Sequence, residues 1–277
     1  MKSDLSATEE IEMKLLTEAI FRKYHHDFRG YSEASLKRRM MKAKEHFACA
    51  SLSELQHRIL HEPDVISKLL PFLTVQVSDM FRDPSYFRAL RERVIPHLKT
   101  YPSLKVWIAG CSAGEELHSF AILFREEGLE ERTMFYATDI NEAAMRKAEE
   151  GVYEMDRVAQ FTENHRLSGG KTSLSDYYST GYGRAKFDRS LRERTVFANH
   201  SLVSDAVFAE THLISCRNVM IYFNRDLQNR AVGLFKDSLV RRGFLGLGSR
   251  ETLRFNDHVA EFSEFEAKER IYQKGTE

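Results

Sequence analysis

The stretch Lys105–Glu116, KVWIAGCSAGEE, joins a short apolar run to a glycine-rich turn and an acidic pair. KVWIAG is typical of a buried strand, and the following GEELHSFAILFREEG has the pattern of a helix. The arrangement recurs at once, because TMFYATD predicts a second strand and NEAAMRKAEEG a second helix. This alternation predicts a parallel α/β sheet.

The sequence pattern changes on both sides of this core. Residues 1–73 carry helical patterns only, and they predict a separate helical domain before a larger domain at 74–277. Residues 155–195 interrupt the alternation with glycines and tyrosines, which predicts an inserted subdomain or a long loop. Strands resume in TVFANHSL and THLISC, and the tail EFEAKERIYQK predicts an edge strand.

The composition excludes several classes of protein. Among 277 residues, 41 basic side chains balance 41 acidic ones, which argues against a broadly basic nucleic-acid binder. No apolar run approaches the roughly 18 residues that span a bilayer, and the polar N-terminus does not resemble a signal peptide. Three widely spaced cysteines fit a reducing compartment. We therefore expect a cytoplasmic protein that does not insert into membranes. A monomer is expected as well, because nothing in the sequence suggests an obligate dimer.

Charge is nevertheless concentrated in one place. Residues 22–44 contain eight basic and two acidic side chains, a net charge of +6, and Ser32 with Glu33 predicts a helix start within this segment. Four residues form the candidate basic face of that helix: Lys37, Arg38, Lys42 and Lys44. Either this face docks an acidic partner or it is an ordinary solvated surface. His57 and His61 lie four apart, but no third ligand is near, so no metal is expected.

The glycine turn allows three interpretations, of which a dinucleotide site is the first. Gly110 and Gly114 form GxxxG rather than GxGxxG. Glu115 and Glu116 also occupy the helix start, where a pyrophosphate needs bare N–H groups and no anions. Both features disfavour a dinucleotide.

A hydrolase is the second interpretation, because the same five residues also satisfy GxSxG, with Ser112 as the nucleophile. Asp205 and His212 would complete a triad in the expected order. However, a nucleophile elbow normally follows several strands, and the hundred residues before Ser112 predict helices. This context disfavours the hydrolase.

The third interpretation is a site for S-adenosylmethionine (SAM), which carries a sulfonium and an ammonium but no phosphate. Carboxylates beside the glycine turn then help binding rather than oppose it. Asp139 ends the second predicted strand, where it could accept hydrogen bonds from a ribose. Asp139 alone could equally cap the following helix. Only its pairing with the glycine turn favours the ligand.

Four segments together resemble the CheR-type chemotaxis receptor methyltransferases. The most specific is CRNVMIYFNRDLQNR, Cys216–Arg230, which is similar to that family's signature strand and turn. KVWIAGCSAGEE and FYATDI resemble its SAM loop and ribose strand, and TVQVSDMFRDPSYF resembles the segment that joins its two domains. The resemblance implies a Rossmann-like class I SAM-dependent methyltransferase sheet with an N-terminal all-helical domain and a small inserted β-subdomain at 155–195.

The resemblance also implies roles for individual residues. Tyr222 would face the methyl group and orient the substrate, with Arg217 as a weaker second catalytic candidate. Positions implied to bind SAM are Gln76, Ser78, Arg82, Gly110, Gly114, Glu115, Glu116, Asp139, Ser201, Leu202, Arg217 and Asn218. Simpler roles stay open, since Arg82 could be a surface charge and Leu202 could be plain core.

The reaction implied by the resemblance is methyl transfer from SAM to receptor glutamates, leaving S-adenosylhomocysteine and requiring no metal. Its partners would be acidic cytoplasmic helices of methyl-accepting chemoreceptors, docked on the basic face. The chain departs from the family at several positions: Gln76, Ser78, Ala113, Leu117, His118, Ser201 and His212. These departures leave open a second possibility, a SAM-binding regulatory module that has lost turnover.

Overall fold

The computed structural model describes residues 2–74 and 78–276, which divide into two units. The helical unit comprises residues 2–74, 202–204 and 222–230, and the sheet unit comprises 78–201, 205–221 and 231–276. Helices of the first 74 residues are α1 (Lys2–Tyr24), α2 (Glu33–His46), α3 (Leu52–His61) and α4 (Val65–Leu73).

The helical unit forms where the sequence predicts helices. Leu16, Ile20, Met40 and Leu55 have no exposed surface, so the apolar positions of α1 to α3 build a core. Helix α2 begins at Glu33, directly after Ser32, as predicted. Helix α2 therefore has one buried side, which includes Met40, and one exposed side.

The sheet unit contains a seven-stranded sheet, whose strands are β1 (Leu104–Ala109), β2 (Thr133–Asp139), β6 (Thr195–Asn199), β7 (Thr211–Cys216), β8 (Leu239–Leu247), β9 (Phe262–Glu266) and β10 (Ile271–Lys274). Their order across the sheet is β6-β2-β1-β7-β8-β10-β9. Strands β6, β2, β1, β7 and β8 are parallel, while β10 runs antiparallel to both of its neighbours. The predicted parallel α/β sheet is confirmed.

Strand order decides where a ligand can bind in such a sheet. The chain moves outward in one direction from β1 to β2 and β6, and then returns to the other side of β1 with β7. Ligands of open α/β sheets bind beyond the carboxyl ends of the strands at such a reversal. The ends of β1 and β7 therefore mark the candidate site.

Helices cover this sheet and connect its strands. The helices after residue 78 are α5 (Pro84–Ala89), α6 (Ile95–Leu98), α7 (Glu115–Glu126), α8 (Glu142–Glu150), α9 (Met155–Leu167) and α10 (Arg225–Ser238). A π-helical turn, Leu90–Val94, joins α5 to α6. No helix within residues 2–74 and 78–276 is both apolar and long enough for a membrane span.

Two sequence expectations need correction. EFEAKERIYQK is not one edge strand: it contains the last three residues of β9, a turn and the whole of β10, and β9 lies at the edge. The small antiparallel sheet predicted for the insert exists, with strands β3 (Val152–Glu154), β4 (Tyr178–Gly181) and β5 (Arg184–Phe187). It starts before residue 155, however, and α9 occupies the first third of the predicted insert.

Candidate functional site

The turn between β1 and α7 requires glycine at two positions. Gly110 and Gly114 have φ angles of +75° and +89°, which L-residues rarely adopt. A Cβ on Gly110 would lie 2.5 Å from Val219 Cγ2, and a Cβ on Gly114 would lie 2.7 Å from Ala148 Cβ. Steric exclusion and backbone conformation therefore agree on a tight loop at the end of β1.

Asp139 fastens this loop to the end of β2. Its Oδ2 accepts a hydrogen bond from the Ser112 N–H at 2.9 Å, and its Oδ1 accepts from the Asn141 N–H at 2.9 Å. Burial raises the pKa of Asp139, against the opposing effect of these backbone donors. Asn141, whose side chain accepts from the Ala144 N–H, caps α8, so the alternative role of Asp139 as that cap is wrong.

Glu115 and Glu116 have different environments. Glu115 is fully buried, and its Oε1 accepts from Arg157 Nη1 at 2.8 Å. Burial raises the pKa of the Glu115 carboxyl, although Arg157 opposes that effect. Glu116 accepts from Ser215 Oγ at 2.6 Å and from Arg217 Nη1 at 3.2 Å. Each glutamate is therefore already paired with an arginine: Glu115 with Arg157, and Glu116 with Arg217.

Arg217 follows β7 and has an almost fully buried side chain. Its Nη1 binds Glu116, while its Nη2 donates to Asp83 Oδ2 at 2.7 Å and to the Arg82 carbonyl at 2.9 Å. The guanidinium carbon lies 4.2 Å from the centre of the Tyr86 ring. The Arg217 cation is thus paired with two carboxylates and stacked on an aromatic ring. This geometry suits a residue that holds three segments together better than one that steers a substrate carboxylate.

Glu251 organises the turn after β7, and no sequence pattern pointed to it. Its carboxylate is almost fully buried and accepts hydrogen bonds from a set of backbone N–H groups. The donors are Asn218 at 2.9 Å, Val219 at 3.0 Å, Ile221 at 3.3 Å and Gly248 at 2.6 Å. Asn218 has a φ of +60°, so this unusual turn is stabilised by an anion from 33 residues later.

The side chains of His118 and Tyr153 form hydrogen bonds with the backbone of the glycine turn. His118 Nδ1 lies 2.8 Å from the Gly114 carbonyl oxygen and 3.1 Å from the Tyr153 hydroxyl, which donates to the Ala113 carbonyl at 2.9 Å. Because His118 is completely buried, its pKa is lowered to about 4. The imidazole is therefore neutral at pH 7, and a proton would place a cation in an apolar setting beside Arg192.

A pH dependence follows from this buried imidazole. Its folded pKa lies below the usual 6.5, so the stability it contributes is complete above pH 6.5 and falls as pH drops towards 4. The full loss amounts to about 3 kcal/mol. We expect His118→Phe to flatten the decline in urea-unfolding free energy between pH 7 and pH 5.

His57→Gln supplies the control, because it removes a histidine whose side chain is exposed rather than buried. That variant should keep the wild-type decline. An equally steep decline in His118→Phe would show that other groups cause the acid sensitivity.

The remaining predicted SAM positions fall in different places. The Ser78 carbonyl accepts from Arg157, and the Ser201 N–H donates to Asp205 Oδ2 at 2.8 Å. Leu202 is buried and belongs to the helical unit, as does Tyr222. Gln76 lies outside the described residues.

The hydrolase interpretation is wrong. Ser112 lies beyond the carboxyl end of β1, whereas His212 Nδ1 accepts from the Lys105 N–H at the opposite end of that strand. The Ser112 hydroxyl is buried and has no hydrogen-bond partner among the described residues. Within residues 78–276, no base is therefore placed to activate it.

These residues fit SAM in three respects. The loop is narrow at Gly110 and Gly114, three carboxylates surround it, and two buried oxygens on it lack partners among the residues of 78–276: Ser112 Oγ and Glu115 Oε2. Carboxylates complement a sulfonium and an ammonium, and each Asp139 oxygen keeps a lone pair for a ribose hydroxyl. Within 2–74 and 78–276, no group of three or more His, Cys, Asp or Glu side chains could hold a metal.

Comparison with known proteins agrees with this chemistry. The profile described as "CheR methyltransferase, SAM binding domain" matches residues 76–270, and "CheR methyltransferase, all-alpha domain" matches residues 11–74. The chain is 53% identical over 265 residues to "Putative methyltransferase Cher3" of Pseudomonas putida, covering 96% of this chain and 97% of that protein. It is 28% identical over 229 residues to "Chemotaxis protein methyltransferase" of Listeria monocytogenes, covering 82% and 84%. The predicted class I fold and the predicted SAM cofactor are confirmed.

Proposed function

Because this chain belongs to the CheR methyltransferase family, we propose that it methylates glutamate side chains of chemoreceptor cytoplasmic domains, using SAM. The products are glutamate methyl esters and S-adenosylhomocysteine, as required for sensory adaptation in chemotaxis. The observation that carries the proposal is the glycine turn fastened to Asp139 and surrounded by carboxylates, inside a matched SAM-binding domain.

The reaction asks little acid–base chemistry of the protein. A glutamate with a pKa of about 4.3 is already ionised at pH 7, and its carboxylate is the nucleophile. SAM, when bound, supplies an activated methyl group. The chain must then remove water from the carboxylate and hold one oxygen in line with that methyl group, at about 3 Å.

The chain's residues divide this work. Gly110, Gly114 and Asp139 form the SAM cradle, and Glu115 with Glu116 provides negative charge at its cationic end. Tyr222 is the catalytic residue, orienting the glutamate carboxylate through its hydroxyl. Arg217 acts on SAM indirectly, because its ion pairs hold Glu116 and the Arg82–Asp83 backbone in place.

Receptor docking is the role of α2, within a helical domain at 1–73. Arg38 and Lys42 are exposed, and Lys44 is half-buried. Lys37 is paired with Glu9 at 3.0 Å, whereas the other three make no ion pair with any side chain described in residues 7–74. Uncompensated cations on one helix suit an acidic receptor helix. The reaction takes place in the cytoplasm, with this protein as a monomer.

A charge reversal tests this docking face. We expect Arg38→Glu to raise the KM for a receptor cytoplasmic fragment about tenfold at low salt, because one attraction becomes a repulsion. Added salt should weaken wild-type binding and narrow the difference between the two proteins. Lys99→Glu, a reversal on the sheet unit, is the control, and equal effects of both reversals would contradict a specific docking face.

One assay tests the function as a whole. The protein is incubated with methyl-labelled SAM and a receptor cytoplasmic fragment, and base-labile label on the fragment is measured. Label that is released as methanol by alkali, and lost when the receptor glutamates are changed to alanine, supports the proposal. Tight SAM binding without any label would favour the alternative, a SAM-binding regulatory module.

A further inference from the structure

Tyr222 and the eight residues after it pack with the helical unit, although they are distant from it in sequence. The Ser32 N–H donates to the Tyr222 carbonyl at 2.7 Å, and the Asn224 N–H donates to the Gly30 carbonyl at 2.8 Å. Tyr31 and Phe223 form an isolated β-bridge, with ring centres 5.2 Å apart. Backbone and rings thus fix this segment against the residues immediately before α2.

Arg39 adds a contact with the Tyr222 side chain itself. Its guanidinium carbon lies 4.2 Å from the centre of the Tyr222 ring, and its Nη1 donates to the Leu73 carbonyl at 2.6 Å. Arg39 is only 7% exposed, and it forms no ion pair with the carboxylates described in residues 7–74 and 78–276. Burying a cation without an anion is costly, so its placement over this ring calls for a function.

We propose that Arg39 is a positioning residue that sets the orientation of the Tyr222 ring for methyl transfer. The inference rests on the proposed function, in which the Tyr222 hydroxyl orients the substrate carboxylate. A planar guanidinium stacked on the ring restricts its tilt, while the Leu73 carbonyl and α2 hold the guanidinium in place. Helix α2 then serves two purposes: Arg38 faces solvent for docking, and its neighbour Arg39 faces inward to hold the tyrosine.

Arg39→Met tests this assignment, because methionine fills the space without a charge or a flat donor. We expect kcat for receptor methylation to fall about tenfold, with the KM values for SAM and for the receptor fragment within twofold of wild type. Arg39→Lys keeps the charge but not the planar stack, and kcat should lie between the two. Lys68→Met removes an exposed cation of α4 outside the docking face, and it should leave kcat and both KM values unchanged.

A double-mutant cycle separates positioning from general stability. If Arg39 acts through the Tyr222 hydroxyl, Arg39→Met should change kcat less than twofold in a Tyr222→Phe background. A tenfold loss in both backgrounds would overturn the inference, and so would wild-type kcat in Tyr222→Phe. Arg39→Lys, as the milder change, supplies the cycle if Arg39→Met does not fold.

Amide hydrogen exchange gives a readout independent of activity. In Arg39→Lys the N–H groups of Ser32 and Asn224 should exchange at least tenfold faster, whereas the Glu54 N–H, bonded to Ser51 Oγ, should keep its rate. If wild type gives no methyl ester, the proposed function fails and this exchange result alone decides the positioning. Unchanged exchange at Ser32 and Asn224 would overturn it.

Discussion

Tyr222→Phe is expected to lower kcat for receptor methylation about 100-fold while SAM affinity stays within twofold of wild type. Phenylalanine keeps the ring that lies under Arg39, and the backbone bond from Ser32 does not involve the side chain. The change therefore removes only the hydroxyl proposed to orient the substrate carboxylate. Initial rates with a receptor fragment and calorimetric titration with S-adenosylhomocysteine measure the two quantities.

Tyr182 offers a matched control for the loss of a phenol. It is fully exposed at the tip of the β4–β5 hairpin, so Tyr182→Phe should leave kcat unchanged. If Tyr222→Phe also kept wild-type turnover, Tyr222 would have no part in the reaction. If it lost SAM affinity as well as turnover, its role would be structural rather than catalytic.

The sequence was sufficient to predict the sheet, because its central strands are short apolar runs bounded by turns. The end of the chain was harder, since EFEAKERIYQK alternates equally well as one strand or as two strands joined by a turn. The glycines and tyrosines that marked the insert lie in its later part. They could not reveal that α9 precedes the hairpin.

Local spacing also explains which parts of the site were predicted. The glycine turn and Asp139 follow two adjacent strands, so strand pairing alone brings their ends together. Glu251 and His118 act through contacts that no spacing encodes. A carboxylate that accepts four backbone N–H groups and an imidazole under a loop become visible only when distant segments meet.

The sequence predicted only part of what the structure shows for Arg217. Its position beside the site was predicted, but its partners were not, and those partners determine what it can do. Paired with Glu116 and Asp83, its cation has little left to offer a substrate carboxylate. Removing Arg217 would leave the carboxylates of Glu116 and Asp83 without this cation next to the proposed SAM cradle, so its loss would not report on catalysis alone.

Gly114→Ala is expected to lower the affinity for S-adenosylhomocysteine at least tenfold and to reduce the melting temperature by several degrees. Two costs combine: a left-handed conformation, about 1 kcal/mol for alanine, and a Cβ placed 2.8 Å from the Ala148 Cα. A backbone atom cannot give way cheaply, so the loop itself must move, and the loop is the proposed cradle.

Gly128→Ala separates the two costs. Gly128 also has a positive φ, +71°, but a Cβ there would meet nothing within 4 Å. This variant should lose about 1 kcal/mol of unfolding free energy and bind S-adenosylhomocysteine as wild type does. Equal binding by both variants would remove the glycine turn from the SAM site. The two positions share only the conformational strain. If Gly114→Ala and Gly128→Ala lost the same unfolding free energy, the contact with Ala148 would therefore add no further cost.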